Sequence, residues 1–244
     1  MYDEFVALLR KACSKRKLRL RKIGTVHNKR DYHLYKIVIN SRKNPKASVC
    51  FSAGIHGEEI AGPYAALRFI EKFDFRKFKN IKIIILPIAN PYGFDRTMRE
   101  TTKGLQSNGH FCNKRLNGEH KILYNAIKDE RLLFFHALHE DSDEHRFYIY
   151  NFENGEEKIY NDILAVARKY FPLEMHKRIY GSKAEHGLII NEHDSSFEDR
   201  MYRDGVPYSM CTETPGIAPL EKRIRAYVEI MGLVLGFAAK VGKK

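Results

Sequence analysis

Residues 81–90, IKIIILPIAN, form a nearly unbroken apolar run rich in isoleucine. A strand of this kind has no polar face to offer water, so it must be covered on both sides. The run ends at Asn90-Pro91-Tyr92-Gly93, a turn signal. A second apolar run, Ala47–Ala53, also reads as a buried strand and stops at Gly54. Two such strands demand a sheet with helices on both faces.

The remaining elements fit that demand. Residues 3–13 carry Phe5, Leu8, Leu9 and Ala12 at helical spacing, and 18–24 and 33–40 read as strands around the polar turn His27-Asn28-Lys29-Arg30. Helices are expected over 59–73, 118–129, 156–170, 196–204 and 219–241, with further strands over 131–139 and 206–213. The stretch from Phe94 to Leu116 is polar and reads as a long loop, the kind that carries function in a compact domain. Residues 180–196 are rich in glycine and charge. Strands and helices alternate, which predicts an α/β fold with a largely parallel or mixed sheet. No linker divides the chain, so residues 1–244 are expected to form one domain.

Lys and Arg number 43 against 30 Asp and Glu, a formal charge of +13. The densest basic cluster, Lys15 to Lys22, alternates charge with Leu18 and Leu20, as an exposed strand edge does. That reading is preferred over a nucleic-acid surface, which would want interleaved aromatic residues or a known motif. The positive field would also concentrate acidic substrates such as glutamate-rich peptides. Cys13, Cys50, Cys112 and Cys211 lack the paired spacing of a zinc knuckle or redox motif and are expected to be reduced core residues. The first segment has charges at positions 3 and 4 and no continuous apolar run, unlike a secretory leader. No membrane-spanning segment is expected either, and the expected compartment is the cytoplasm.

Chemistry gathers just past the carboxyl ends of the expected central strands, where open α/β sheets place their ligand crevices. His56 and Glu59 follow the first strand, Asn90 the second, His139 the third, and Glu213 ends the fourth. His56 and Glu59 sit three residues apart where a strand turns into a helix, so both can face one cation. A third ligand from a distant segment would leave an open coordination position, the layout of a catalytic zinc site. The remaining carboxylate, Glu213, could then take a proton from water. Each residue alone also has a plainer reading. Glu59 suits a helix N-terminus for dipole reasons, His139 with Glu140, Asp141 and Asp143 after it suits a surface histidine at a strand end, and Glu213 could pair with any nearby cation. His136, among Phe134, Phe135 and Leu138, reads as a core histidine. His110, His186 and His193 carry no ligand assignment.

Four segments, GIHGEEIAG (54–62), ANPYGFDRTMR (89–99), ALHEDSD (137–143) and CTETPG (211–216), resemble the zinc metallocarboxypeptidase family, including its murein peptide amidase and aspartoacylase/desuccinylase-like branches. They run in the family's order over most of the chain. The resemblance implies a three-layer αβα sandwich with a mixed, roughly eight-stranded sheet. It implies one Zn2+ per chain on His56, Glu59 and His139, with Glu213 as general base. Arg99 best matches the carbonyl-polarising arginine, and Arg96 is a second candidate for contact with substrate. The family's Asp-x-Asn-Arg element falls on Gln106-Ser107-Asn108-Gly109. Asn108 is retained, but glycine stands where an arginine would clamp a substrate carboxylate. A longer loop would bring Asn113-Lys114-Arg115 into that register instead, making Arg115 the clamp. The family's active-site tyrosine has no assigned counterpart, Tyr202 and Tyr208 being the residues on offer.

Three functions follow. The first is a zinc peptidase or amidase cleaving a terminal amide bond in a small peptide. The second is a zinc-dependent N-acyl amino-acid deacylase or desuccinylase. The third is a catalytically silent polyanion-binding domain, against which the intact His56, Glu59, His139 and Glu213 argue.

Overall fold

The computed structural model describes residues 1–40, 44–152 and 158–242. In chain order the elements are α1 (Tyr2–Lys15), β1 (Leu20–Asn28), β2 (Arg30–Ile39), β3 (Ala47–Ala53), α2 (Ala61–Lys72), β4 (Ile81–Leu86), α3 (Pro91–Arg96), α4 (Gly118–Ile127) and β5 (Phe134–Asp141). They continue with β6 (Tyr148–Asn151), α5 (Lys158–Ala167), β7 (Arg178–Ile179), β8 (Ser182–Glu185), β9 (Leu188–Ile190), α6 (Phe197–Arg203), β10 (Tyr208–Pro215) and α7 (Leu220–Val241). The first two residues of the helix expected over 156–170 lie outside the described residues.

All ten strands form one sheet in the order β1-β2-β4-β3-β5-β10-β6-β9-β8-β7. The four central strands, β4, β3, β5 and β10, are mutually parallel. β2 joins them antiparallel on one side and β6 on the other. The expected mixed sheet is therefore present, with ten strands rather than about eight. The additional short strands β7, β8 and β9 lie in the glycine- and charge-rich stretch, where runs of two to four residues are too brief to show a period. β1 is the edge strand and exposes Arg21 and Lys22, as the alternation of leucine and charge implied.

Alternation along β5 defines the two faces. Phe134, Leu138 and Glu140 point toward α2 and α7, where Phe134 meets Phe237 with ring centroids 6.3 Å apart. Phe135 points the other way and packs edge-on against Phe197 of α6 at 4.8 Å. His139 shares the parity of Phe135, so it emerges on the α6 face at the carboxyl end of the parallel strands. The expected core strands are buried throughout: every residue of β3, and all of β4 except Lys82. Among the described residues no helix is long and apolar enough to cross a membrane. Cys13, Cys50 and Cys211 are free and buried, whereas Cys112 is only half-buried.

Two glycines allow the loops above this edge to meet. Gly54 leaves β3 with φ +63°, and a Cβ there would sit 2.8 Å from Pro63 Cγ. Gly57 presses against the β4–α3 segment so closely that a Cβ would lie 1.9 Å from the Gly93 carbonyl carbon. Its N–H donates to Met98 O at 3.0 Å, which draws residues 98–99 beside His56. Gly57→Ala must push the two loops apart and is expected to destabilise the protein by about 1–3 kcal/mol. Thermal unfolding of the purified variant beside the wild type checks this.

Candidate active site

The β3–α2 turn carries His56 and Glu59. Both are buried, and His56 Nδ1 lies 2.5 Å from Glu59 Oε1. His139, from the end of β5, brings its Nδ1 to 3.0 Å from the other carboxylate oxygen, Glu59 Oε2. That oxygen is buried and has no aligned hydrogen bond among the described residues. The rings of His56 and His139 face each other edge-on, with centroids 4.8 Å apart. Two imidazoles therefore flank one buried carboxylate, and one atom from each of the three residues lies within 4.8 Å of the others. Burial alone would push the Glu59 carboxyl up, but the two imidazoles outweigh it and hold it well below the usual range. Burial likewise opposes the charged form of His139, and Glu59, then Glu213 and Glu198, push it up instead. A buried carboxylate between two imidazoles offers the oxygen and nitrogen donors that a zinc ion takes, and the three residues fit such an ion.

A hydrogen-bonded frame holds the β3–α2 turn and the end of β5 together. Glu140 is buried on the opposite face of β5 from His139 and accepts from Ala61 N–H at the start of α2 and from Arg223 of α7. The Tyr227 hydroxyl donates to the His139 carbonyl. The end of β5 is thus interior, and the surface reading of His139 fails for that reason. His136 is the core histidine expected: fully buried, bonded through Nε2 to Thr212 Oγ1 at 2.8 Å, and pushed down to about 3 by burial.

Glu213 is the register partner of His139 across β5 and β10. The Cys211 thiol donates to its Oε1 at 3.4 Å. Burial pushes the Glu213 carboxyl up to about 8, with Glu59 and Asp141 adding to the effect and His139 opposing it.

Arg99 reaches the same spot. Its guanidinium lies 2.9 Å from His56 Nδ1, 3.4 Å from Glu58 Oε1 and 3.9 Å from Glu59 Oε1. Asn90 anchors this arrangement. Its Oδ1 caps α3 by accepting from Gly93 N–H at 2.9 Å, and its amide donates to the carbonyl of Glu100 at 3.0 Å. The turn signal at Asn90-Pro91 is therefore a helix N-cap with proline at the first helical position, so α3 replaces the start of the expected loop. Thr97 ends α3 in the left-handed conformation, φ 57°, and turns the chain so that Arg99 comes back to His56. Arg96 stays on the exposed side of α3, stacked over Tyr92 at 5.0 Å, and does not reach the site. Arg115 is exposed and is not among the residues around the cavity. Of the three arginines expected near substrate, Arg99 alone lines the cavity, and Arg96 and Arg115 lie outside its lining.

The cavity over these groups has a volume of about 450 Å³. Asn108 lines it, with its amide nitrogen 3.4 Å from His139 Nε2 and its Oδ1 accepting from Phe197 N–H at 3.0 Å. Gln106, Gly109 and His110 line it too, whereas Asn113, Lys114 and Arg115 of the alternative register do not. A Cβ on Gly109 would find only Gln106 Cγ, 3.9 Å away, so the wall there is open. His186 and His193 are not among the lining residues. Tyr202 and Tyr208 stack on Phe152 and Phe134 respectively, and Tyr150 is the tyrosine that faces the cavity.

Sequence reasoning missed Glu198, Asp194, Cys211 and Tyr150 in this lining. Glu198 sits in the first turn of α6, whose Ser196 cap accepts from Asp199 N–H at 3.2 Å. That cap was a readable signal for the helix, but not for the face it would turn to the cavity. The acidic substrate suggested by the net charge finds Arg99 as the one lysine or arginine in this wall among the described residues, against Asp194, Glu198 and Glu213. Larger grooves exist beside Lys15–Leu18 (about 610 Å³) and Met175–His186 (about 800 Å³), but among the described residues neither holds a cluster of metal-ligating side chains.

The chain is 27% identical to a presumed metallopeptidase of Shewanella denitrificans OS217 over 97% of its own length and 90% of the other's, with a TM-score of 0.85. A presumed metallopeptidase of Shewanella baltica OS155 is 28% identical over 97% and 92%, with a TM-score of 0.83. A metallo-carboxypeptidase of Burkholderia cenocepacia shares the fold at 13% identity, covering 96% of this chain and 68% of that one, with a TM-score of 0.76. Among curated proteins none matches significantly. The family model described as zinc carboxypeptidase matches residues 2–125, just over half of the chain. On that match the chain belongs to the zinc carboxypeptidase family and is a metal-dependent hydrolase of the metallopeptidase type.

Proposed function

We propose that this protein cleaves a terminal amide bond in a small peptide, with His56, Glu59 and His139 holding zinc. The observation that carries the reading is the buried Glu59 carboxylate flanked by two imidazole nitrogens, at 2.5 and 3.0 Å. Zinc bound there would polarise the scissile carbonyl and lower the pKa of water to about 7. Glu213 takes the proton of the attacking water and returns it to the leaving amine. The Arg99 guanidinium, half-exposed at the rim, stabilises the negative charge that develops on the carbonyl oxygen. Asn108, held by Phe197 N–H, presents its amide beside His139 and orients the substrate.

A base must be ionised to act, so acidification through its pKa removes activity. Burial and neighbouring carboxylates raise the Glu213 pKa, whereas a metal cation nearby lowers it. The acid limb of kcat/KM is therefore expected between the ordinary 4.5 and about 8, with activity rising as pH increases through it. A limb below the ordinary carboxylate range would speak against Glu213.

The open wall at Gly109 supports a second reading, an N-acyl amino-acid deacylase that needs no carboxylate clamp. A panel of blocked dipeptides and N-acyl amino acids, assayed with zinc-loaded protein, separates the two. Turnover of the dipeptides is the expected result, and turnover of the acylated amino acids alone would overturn the peptidase reading.

A further inference from the structure

We propose that the groove between the carboxyl ends of α1 and α2 is a second binding site, for a nucleoside di- or triphosphate. It is independent of the hydrolase reading. α2 spans 12 residues, about 18 Å, between the turn that carries Glu59 and this groove.

The groove has a volume of about 610 Å³, inside the range of about 300–1,000 Å³ that small-molecule pockets occupy. Its floor is apolar, with Ile39 and Phe75 buried and Leu18 and Phe73 half-buried. Lys15, Arg16 and Lys17 line it from the end of α1, and Lys72 and Arg76 from the end of α2 and the turn beyond. Among the described residues Asp74 is the one acid in this wall, and Arg76 already holds it, with Nε 2.8 Å from Oδ1 and Nη2 3.0 Å from Oδ2. No carboxylate among the described residues lies within ion-pair distance of Lys15, Arg16, Lys17 or Lys72. Helix carboxyl ends attract cations, but each presents only about half a negative charge. Two such ends offset about one of these four charges, and the remainder is unanswered.

The backbone holds one of these cations at a position that disfavours it. α1 closes with Leu18 N–H donating to Cys13 O at 2.9 Å and Lys17 N–H donating to Ser14 O at 3.0 Å. That closure sets Lys17 at φ 55°, the left-handed conformation where glycine is the usual residue. A lysine there is strained, and no carboxylate partner offsets the strain. Arg16 is fixed from two directions. Its Nη2 donates to Phe73 O at 2.5 Å, and its guanidinium carbon lies 5.5 Å from the Phe75 ring centroid. One contact to a carbonyl leaves further N–H donors for a ligand.

Phosphate oxygens suit lysine and arginine donors, and a di- or triphosphate concentrates its negative charge in a small space. An acidic peptide spreads its carboxylates along a chain that extends by about 3.3 Å per residue. An inorganic phosphate chain makes no use of the apolar floor, on which the ring of a nucleoside can lie.

Titration of the full-length protein with a ribose-labelled fluorescent analogue of adenosine triphosphate (ATP) tests the site. Unlabelled ATP is expected to displace it with an affinity about 10-fold higher than inorganic tripolyphosphate or hexaglutamate. Lys17→Gly/Lys72→Gln should weaken ATP binding by about 10- to 100-fold. Lys177→Gln/Lys183→Gln removes the same charge from the groove at Met175–His186 and should leave ATP binding unchanged. Lys17→Gly alone should melt about 2–4 °C above the wild type, because glycine suits that backbone, so weaker binding cannot be ascribed to unfolding. Each of four results would overturn the proposal: no saturable ATP binding, equal affinity for tripolyphosphate or hexaglutamate, ATP binding untouched in the groove variant, or an equal loss in the control. A Lys17→Gly protein that melts lower would also overturn it, because Lys17 would then serve the helix end rather than a ligand.

Discussion

Replacing Glu213 by glutamine is expected to lower kcat by about 10²- to 10⁴-fold while leaving the metal content unchanged. The substitution keeps the shape of the side chain and removes only its capacity to accept a proton. Glu213 stands in register with His139 but outside the proposed His56–Glu59–His139 set, so the proposed metal donors are untouched. The acid limb of the pH profile should vanish with it, because the group that titrates is gone. Zinc lost together with activity would mean that Glu213 is a ligand rather than a base. Full activity would mean that another group, with Glu198 a buried candidate in the same cavity, takes the proton.

His139→Ala is expected to have the larger effect on the metal itself. Removing one of three donors leaves an incomplete set, and the loss of zinc from dialysed protein should be nearly total, against about one per chain in the wild type. The alanine also removes a ring that fills the space between His56 and the Asn108 amide. A stability cost of about 1–3 kcal/mol from that cavity is expected besides. Measuring metal content and thermal unfolding on the same sample separates the two consequences. A folded variant with full zinc would remove His139 from the ligand set.

Much of this was legible before any coordinates, for reasons that can be named. β3 and β4 announced themselves because strands buried on both faces carry no polar positions, and their ends then located His56, Asn90 and the loops beyond. His139 and Glu213 followed from the same logic, since parallel strands bring their carboxyl ends to one edge. β6 to β9 stayed hidden because they are short and their burial depends on pairing with β10 and with one another. Arg96 and Arg99 were indistinguishable by type and spacing. Only the left-handed turn at Thr97 sends one to His56 and leaves the other on Tyr92. Glu198 could not be read as a site residue at all. Its position depends on Phe197 stacking against Phe111 at 4.2 Å and meeting Phe135, contacts between segments far apart in the chain.

The central claim is that one metal ion is held by His56, Glu59 and His139, with Glu213 left free to act as base. Anomalous diffraction at the zinc edge, from crystals of zinc-loaded protein, tests it most directly. The account predicts a single strong peak within about 2.0–2.2 Å of a nitrogen of His56, a nitrogen of His139 and a carboxylate oxygen of Glu59. A peak instead among His139, Cys211 and Glu213, whose donor atoms also lie within 4.8 Å of one another, would contradict it, because the proposed base would then be bound to the metal.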